Sequence, residues 1–194
     1  MKTTLKTFLV ATIVSMPLVA ALPAQDAHAQ QATKTSKSAS NVKLIRLLSA
    51  YHELPSEDLF AKASATPEQD LITIAKDTTV FKAHRYRALE ALAAYWPSKR
   101  TVALFDGLFA SVDEQDLMLH QLLTISSKHL DKTLATSWAT PYLSSTDEQV
   151  RYTAVDALGR INTPASKSAI KKALETETNN WVKEHMKQML IEIR

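Results

Sequence analysis

A helical pattern that recurs at a nearly constant interval places the strongest constraint on the fold of this chain. Residues 84–95, HRYRALEALAAY, align with residues 150–161, VRYTAVDALGRI, and the same apolar spacing returns at 117–126 and 182–193. Within each segment the apolar residues recur at intervals of three and four, which is the spacing of one face of an α-helix. A period of about 33 residues is typical of solenoids, in which each unit buries its apolar face against its neighbours.

Each repeat continues into a second helix after a short break. Ser98, Asp131 and Pro164 begin these second helices and are separated by the same interval as the first helices. Because two helices alone cannot bury their apolar stripes, each pair must pack on the pair before it and the pair after it. The pattern therefore predicts a short N-terminal unit at 42–77, helical pairs at 79–112, 113–145 and 146–177, and a closing helix at 179–193.

Polar residues before the apolar segments predict where individual helices begin. A Ser or Thr followed three residues later by Glu or Gln can satisfy two free backbone N–H groups at a helix start. Pro67 favours the first helical position of the segment at 66–76, and SVDEQ (111–115) and STDEQ (145–149) are near-copies of each other. These patterns predict three caps: Thr66 with Gln69, Ser111 with Glu114, and Ser145 with Glu148.

Composition restricts the fold class to all-α. The chain has only two glycines, which leaves little material for hairpin turns or phosphate-binding loops, and it is rich in Ala, Leu, Lys and Glu. It has no cysteine, which excludes disulfides, thiolate nucleophiles and Cys-based metal sites. We expect an all-α protein, a short right-handed α-solenoid of roughly four to five helical pairs.

Residues 1–29 have the three-part layout of a bacterial secretory signal peptide. Lys2 and Lys6 precede an apolar run at 8–22, and small residues follow at 27 and 29. This layout predicts cleavage between Ala29 and Gln30, with the mature protein in the periplasm or outside the cell. The alternative is a retained membrane anchor, for which the run, interrupted by a proline, is short.

The remaining chain divides into a linker and a folded region. Residues 30–40, QQATKTSKSAS, contain no apolar side chain larger than alanine, which predicts a disordered linker. The helical repeats occupy 41–194, and we expect this region to form the whole solenoid, with no stable membrane span once the signal is removed.

Residues 142–161, YLSSTDEQVRYTAVDALGRI, resemble the HEAT-like repeat first described in phycobilisome lyases. The shared features are a leucine, an acidic capping turn, Val-Arg, and spaced alanines that end in Ala-Leu-Gly; the resemblance covers about 80–194. It implies a helical solenoid whose second helices line the concave surface, and a repeat arginine that ties neighbouring units together. The positions that match this repeat are Arg85, Ala88, Leu92, Arg151, Ala154 and Leu158.

No motif in the sequence indicates catalysis or cofactor binding. There is no glycine-rich phosphate loop, no G-x-S-x-G turn and no H-E-x-x-H helix. The histidines after the signal are not spaced three or four residues apart, so they suggest surface or capping roles rather than a metal site: His52, His84, His120, His129 and His185. Most carboxylates lie at helix starts, where they interact favourably with the helix dipole. We expect no catalytic residue, no metal and no cofactor.

A few exposed residue types indicate a binding surface instead. Three lysines line one side of the last paired helix, and three tryptophans, Trp96, Trp138 and Trp181, could anchor a peptide, although packing between repeats explains them equally. The resemblance favours the second helices as the binding face. The candidate partner-binding residues are therefore Lys99, Arg100, Trp138, Lys167 and Lys171.

These features together predict an exported scaffold that binds an unidentified protein partner and is not an enzyme. The alternatives are a lyase-type accessory enzyme, suggested by the name of the repeat, or a small-ligand-binding periplasmic factor. Nucleic-acid binding is disfavoured because the formal charge is only +3, and +2 without residues 1–29. A homodimer through the C-terminal helix is also expected if Met189, Leu190 and Ile193 form an uncovered apolar edge.

Overall fold

The computed structural model describes residues 41–50 and 53–192. Within these residues the chain is helical, with turns between the helices and no strand, which confirms the all-α helical-repeat fold. The predicted signal peptide, its cleavage position at Ala29 and Gln30, the linker at 30–40 and His52 lie outside the described residues.

The helices follow one another with short connections. In chain order they are α1 (41–48), α2 (Glu57–Ala63), α3 (Pro67–Lys76), α4 (Lys82–Tyr95), α5 (Lys99–Ser111), α6 (Leu117–His129), α7 (Lys132–Ala139), a 3₁₀ helix (Thr140–Ser144), α8 (Glu148–Ile161), α9 (Pro164–Leu174) and α10 (Asn180–Glu192). The predicted pairs correspond to α4–α5, α6–α7 and α8–α9, and α10 is the closing helix. The N-terminal unit differs from the simple pair, because α1 and α2 stand where one first helix would be expected.

The helices form two layers. The first helices of successive pairs stack directly, α4 on α6, α6 on α8, and α8 on α10. The second helices α5, α7 and α9 form the other layer, in which α7 contacts both α6 and α8, and α9 contacts both α8 and α10. Residues one repeat apart therefore become spatial neighbours, as expected for a solenoid.

The apolar stripe of α8 is the centre of the C-terminal core. Val150, Ala154, Ala157, Leu158 and Ile161 are each no more than 1% exposed. At the contact with α10, α8 has a glycine, Gly159. Any other residue there would place its Cβ atom 2.7 Å from the Met189 sulfur, which is too close. Small residues on α8 thus allow the first helices to approach closely.

Helix α6 belongs to two cores at once. Met118, Leu122 and Ile125 pack with the N-terminal cluster around Phe60 and Phe105. Leu119 and Leu123, on the opposite side, pack with the C-terminal cluster. Nearly every side of α6 is therefore buried, which explains why its apolar residues do not form one narrow stripe.

Two predicted helix starts are capped as expected. The Ser98 side chain accepts hydrogen bonds from the backbone N–H groups of Arg100 and Thr101, and Asp131 does the same for Thr133 and Leu134.

The three predicted capping pairs are wrong. Thr66 makes no side-chain cap, although Pro67 does occupy the first helical position. Ser111 is the last residue of α5, and Asp116 and Asp147 are the N-caps of α6 and α8. Each aspartate lies one residue before its helix. From there its carboxylate oxygen accepts a hydrogen bond from a backbone N–H group of the first turn.

The near-copied turns link successive repeats instead of capping their own helices. The Ser145 hydroxyl donates a hydrogen bond to Glu114, and the Asn179 side-chain amide donates one to Glu148. A third bond of this kind runs from the Ser98 hydroxyl to Glu68. Each glutamate therefore reaches forward by one repeat, which fixes the position of one turn on the next.

None of the helices in the described ranges combines the length and the apolar character that a membrane crossing requires.

Candidate functional site

The repeat arginines connect their own units to neighbouring segments. Arg151 binds the Glu177 carboxylate through Nε at 2.7 Å and Nη2 at 3.0 Å, and its Nη1 donates to the Ser145 carbonyl at 2.9 Å. Arg85 makes a simpler contact, with Nε donating to the Ala75 carbonyl at 3.1 Å. The other positions of the repeat motif, Ala88, Leu92, Ala154 and Leu158, are fully buried.

The Arg151–Glu177 pair is nearly enclosed. Burial by itself would raise the pKa of Glu177, but hydrogen bonds from Arg151 and from the Asn179 backbone hold that pKa below its usual value. The hydrogen bond to Glu177 correspondingly raises the pKa of Arg151. Both groups therefore stay charged at neutral pH, and their role in the geometry is to join the turns on either side of α8 and α9.

A cluster of aromatic and polar side chains lies between α8 and α10, and we call it the α8–α10 cluster: Tyr152, Asp156, Trp181 and His185. The Tyr152 ring stacks nearly parallel on Trp181 at 4.2 Å and on His185 at 3.8 Å between ring centroids. His185 donates from Nε2 to an Asp156 oxygen at 2.7 Å and is only 9% exposed. A cleft of about 510 Å³ opens beside these rings and extends to Ile191.

The hydrogen bond within this cluster joins a histidine to a carboxylate. Asp156 accepts the bond from His185, and the Tyr152 ring covers one face of the imidazole. In the part of the chain that the structure describes, no group of three metal-ligating side chains is found. The stacking and the carboxylate hold His185 in one orientation, which is a structural arrangement between repeats.

Sequence analysis missed this cluster because it examined histidines only along the chain. The period itself contains the missing signal, since polar residues one repeat apart meet in the fold. His120 Nδ1 lies 2.7 Å from Thr153 Oγ1, and Arg160 donates to the Ser127 hydroxyl at 3.0 Å. His84 Nε2 lies 2.9 Å from the Ser49 hydroxyl, which is also about one repeat away along the chain. His129 is a separate case, in which burial lowers the pKa of the imidazole.

The predicted binding residues lie on the second helices, but they are not equivalent. Lys99 and Arg100 are exposed in the first turn of α5, where the Arg100 guanidinium is 3.4 Å from the Gln69 side-chain oxygen. Lys171 is exposed on α9, and Lys167 is half-buried there.

Trp138 is engaged within the protein. Its ring stacks on Phe109 at 5.2 Å and on Phe105 at 6.1 Å, and its Nε1 donates to Asp106 at 2.8 Å. Packing between repeats therefore accounts for this tryptophan, as the alternative interpretation anticipated.

A groove separates the 3₁₀ helix from α9, and we call it the second-helix groove. Its volume is about 400 Å³; Leu143, Ala169 and Ala173 supply its apolar surface, and Lys172 and Glu175 lie at its edge. It forms because α7 ends after eight residues, where Pro141 cannot continue an α-helix and the chain tightens into the 3₁₀ turn. The small side chains of α9 leave the resulting space unfilled.

The apolar edge predicted for the C-terminal helix lies only partly within the described residues, and the homodimer stays a prediction. Met189 and Leu190 are half-buried and pack on the C-terminal core, and Ile193 lies outside the described residues. Tyr152 and Gly159 of α8 contact α10. The residues at the equivalent positions one repeat later, on α10 itself, are Glu184 and Ile191. The exposed residues of α10 include the apolar Trp181 and Ile191 as well as Glu184, which is paired to Lys187 at 2.6 Å.

Part of the helical region matches a known protein family. Residues 120–191, which run from α6 to α10, match the model of a family described as HEAT repeats. No curated protein matches the chain. The family match supports the helical-repeat architecture and, because such repeats commonly bind other proteins, a role in protein interaction.

Proposed function

We propose that this protein is exported from a bacterial cell and acts as a scaffold that binds another protein through the exposed face of its second helices. The export part rests on the signal-like sequence at 1–29. The interaction part rests on the repeat architecture and its match to HEAT repeats. The proposal assigns no catalytic role, because the sequence contains no motif that indicates one.

The observation that carries the proposed binding face is the second-helix groove. This groove has an apolar surface with Lys172 and Glu175 at its edge, so one apolar side chain of a partner could be buried in it while the neighbouring partner residues stay in water. The α8–α10 cleft is larger, but its rings already stack on one another and its charged residues, Glu184 and Lys187, are already paired. The groove therefore offers a partner more unused surface than the cleft does.

Site-specific photo-cross-linking in the intact cell tests the binding face. A photoreactive phenylalanine would replace Ser144 or Thr176, which are exposed beside the groove, and Lys128 or Gln149, which are exposed on first helices, as matched controls. We expect an adduct with another protein from Ser144 and Thr176 only. Equal adducts from all four positions, or none from any of them, would reject the proposed face.

Export is tested separately by mass spectrometry of the protein recovered from the periplasmic and extracellular fractions. We expect a mature N-terminus at Gln30. A cytoplasmic protein that retains Met1 would contradict the export proposal without affecting the cross-linking result.

A further inference from the structure

The charge of the second-helix layer indicates what kind of partner fits it. We propose that the partner supplies an acidic, extended polypeptide segment that crosses α5, α7 and α9 and places one apolar side chain in the second-helix groove. This inference rests on the proposed function and adds the chemistry of the partner to it.

The second helices carry a strong excess of basic residues. Helices α5, α7 and α9 contain six basic residues and one acidic residue. The acidic one, Asp106, already accepts a hydrogen bond from the Trp138 ring. In the described part of the chain, four exposed lysines of this layer form no ion pair, and these are Lys99, Lys132, Lys171 and Lys172.

Several of these basic residues stand where helix electrostatics disfavours them. Lys99 and Arg100 are the first two residues of α5, and Lys132 is the first residue of α7. The helix N-terminus carries a partial positive charge, so a cation there costs stability; α2, α3 and α8 have acidic first turns, whereas α4 also begins with a lysine, Lys82. An anion that binds near Lys99 and Lys132 would offset this cost in two neighbouring second helices.

The repeat also places this charge in series. Lys99 and Lys132 are one repeat apart along the chain, so they occupy the same position in neighbouring units. Packed helices are separated by roughly 10 Å, and an extended chain advances by about 3.3 Å per residue. A segment of roughly six to nine residues therefore reaches across the three helices.

The apolar surface distinguishes a polypeptide from a membrane as the anionic partner. Among the described residues, the large apolar side chains that are exposed are Val42, Leu59, Phe81, Leu117, Trp181 and Ile191, and none of them lies on α5, α7 or α9. A surface that binds a bilayer inserts several such side chains into it. The apolar surface of this layer lies instead in a concave groove, which accepts a side chain rather than donating one.

Fluorescence anisotropy with synthetic peptides tests this chemistry. The probe is a labelled decapeptide of alternating glutamate and serine with one central leucine; one control replaces each glutamate by lysine, and a second replaces the leucine by serine. We expect the acidic peptide to bind, the basic peptide not to bind, and the leucine-free peptide to bind about tenfold more weakly, since one buried apolar side chain has that effect. Added salt should weaken binding of the acidic peptide.

Two double variants with the same change in net charge locate the surface. Lys171→Glu with Lys172→Glu should weaken binding of the acidic peptide at least about tenfold, because it replaces attraction by repulsion at the groove. Lys62→Glu with Lys82→Glu alters exposed lysines on α2 and α4 and should leave the affinity within about twofold. Circular dichroism would show that both proteins remain folded.

Three results would overturn the inference. They are the absence of acidic-peptide binding, an equal loss in the two double variants, and tighter binding to phosphatidylglycerol vesicles or to oligothymidine than to the peptide. If the Ser144 and Thr176 cross-links form with a protein but persist unchanged in Lys171→Glu with Lys172→Glu, the scaffold proposal stands and the acidic partner is wrong. If no cross-link forms, the scaffold proposal itself fails.

Discussion

The two helix layers differ in how many of their polar side chains are paired. In the first-helix layer, polar groups pair across repeats, as in His120 with Thr153, Arg160 with Ser127, and His185 with Asp156. In the second-helix layer, exposed lysines such as Lys132 and Lys171 face solvent without a carboxylate partner in the described chain. Two exposed lysines on first helices, Lys82 and Lys128, also lack an ion pair in the described chain, so the layers differ in the number of such lysines rather than in kind.

The comparison also separates two meanings of an exposed side chain. Trp181 is 45% exposed, yet one face of its ring is covered by Tyr152. Large apolar side chains that are exposed singly are common on soluble proteins and do not by themselves mark a binding site. The described second helices lack such side chains and border a groove instead. The shape and the charge of this layer therefore indicate a binding surface better than exposed apolar side chains do.

The largest expected effect comes from placing a charge in the core beneath the first-helix layer. Ala154→Asp should destabilise the protein by about 3 kcal/mol or more, because a fully buried carboxylate would have no partner there. Gln149→Asp, on the exposed side of the same helix, should change the free energy of unfolding by less than about 0.5 kcal/mol. Equal thermal-denaturation midpoints for the two variants would contradict the buried stripe of α8.

A smaller but still large effect should follow from opening the Arg151–Glu177 pair. Glu177→Gln leaves the guanidinium with a weaker acceptor in a nearly enclosed site, and we expect a loss of about 2 kcal/mol in urea denaturation. Glu90→Gln provides the matched comparison, because its pair with Arg87 is 3.6 Å long and more exposed, and we expect a loss below about 0.5 kcal/mol.

The Glu177 pair also makes a prediction about pH. The folded protein holds the pKa of Glu177 below the ordinary value of 4.5, so the pair contributes fully above that value. Its contribution should disappear as the pH falls from 4.5 towards the lowered pKa, because the unfolded chain then binds the proton more readily. Glu177→Gln should flatten the loss of stability over this acid range, and an unchanged acid profile would show that other groups govern it.

An intermediate effect is expected from the aromatic stack. Tyr152→Leu keeps most of the apolar volume but removes stacking on both Trp181 and His185, which should cost about 1–2 kcal/mol. Hydrogen exchange should then increase in α10 more than in α4. Uniform exchange throughout the described helices would show that the stack does not hold α10 specifically.

The smallest effect on stability should come from the second-helix layer. Lys171→Glu with Lys172→Glu should lower the free energy of unfolding by about 1 kcal/mol or less, because neither lysine has an ion-pair partner to lose in the described chain and only their favourable position in the last turn of α9 is reversed. Calorimetry on this variant and on Tyr152→Leu would compare how much the side chains of each layer contribute to the free energy of unfolding. A large loss in the lysine variant would mean that these side chains hold the fold together after all.

Local patterns predicted the helices well because two periods act together. The three- and four-residue spacing identified the buried face of α8, and the longer repeat period identified its equivalents in α4 and α10. The division of the N-terminal unit into α1 and α2 was not evident, since short helices contain too few turns to establish a period.

Contacts between repeats were harder to predict, although their signals are present in the sequence. Glu114 and Glu148 lie in near-copied turns, and sequence reasoning assigned them to caps of their own helices. In the fold each glutamate accepts a bond from the following turn, because that turn is closer in space than any spacing along the chain suggests. The second-helix groove was equally hidden, since it depends on how abruptly Pro141 ends α7.

The exposed ion pair on α10 has a consequence for how copies of this protein behave together. A solenoid that ended in an apolar helix face could add the next copy at that end, and head-to-tail addition that does not close produces a filament. Glu184 is paired with Lys187 where the next helix of a longer array would pack, so a second copy would have to strip water from both charges. The Glu184–Lys187 pair therefore makes this part of the α10 surface costly for a second copy to bury.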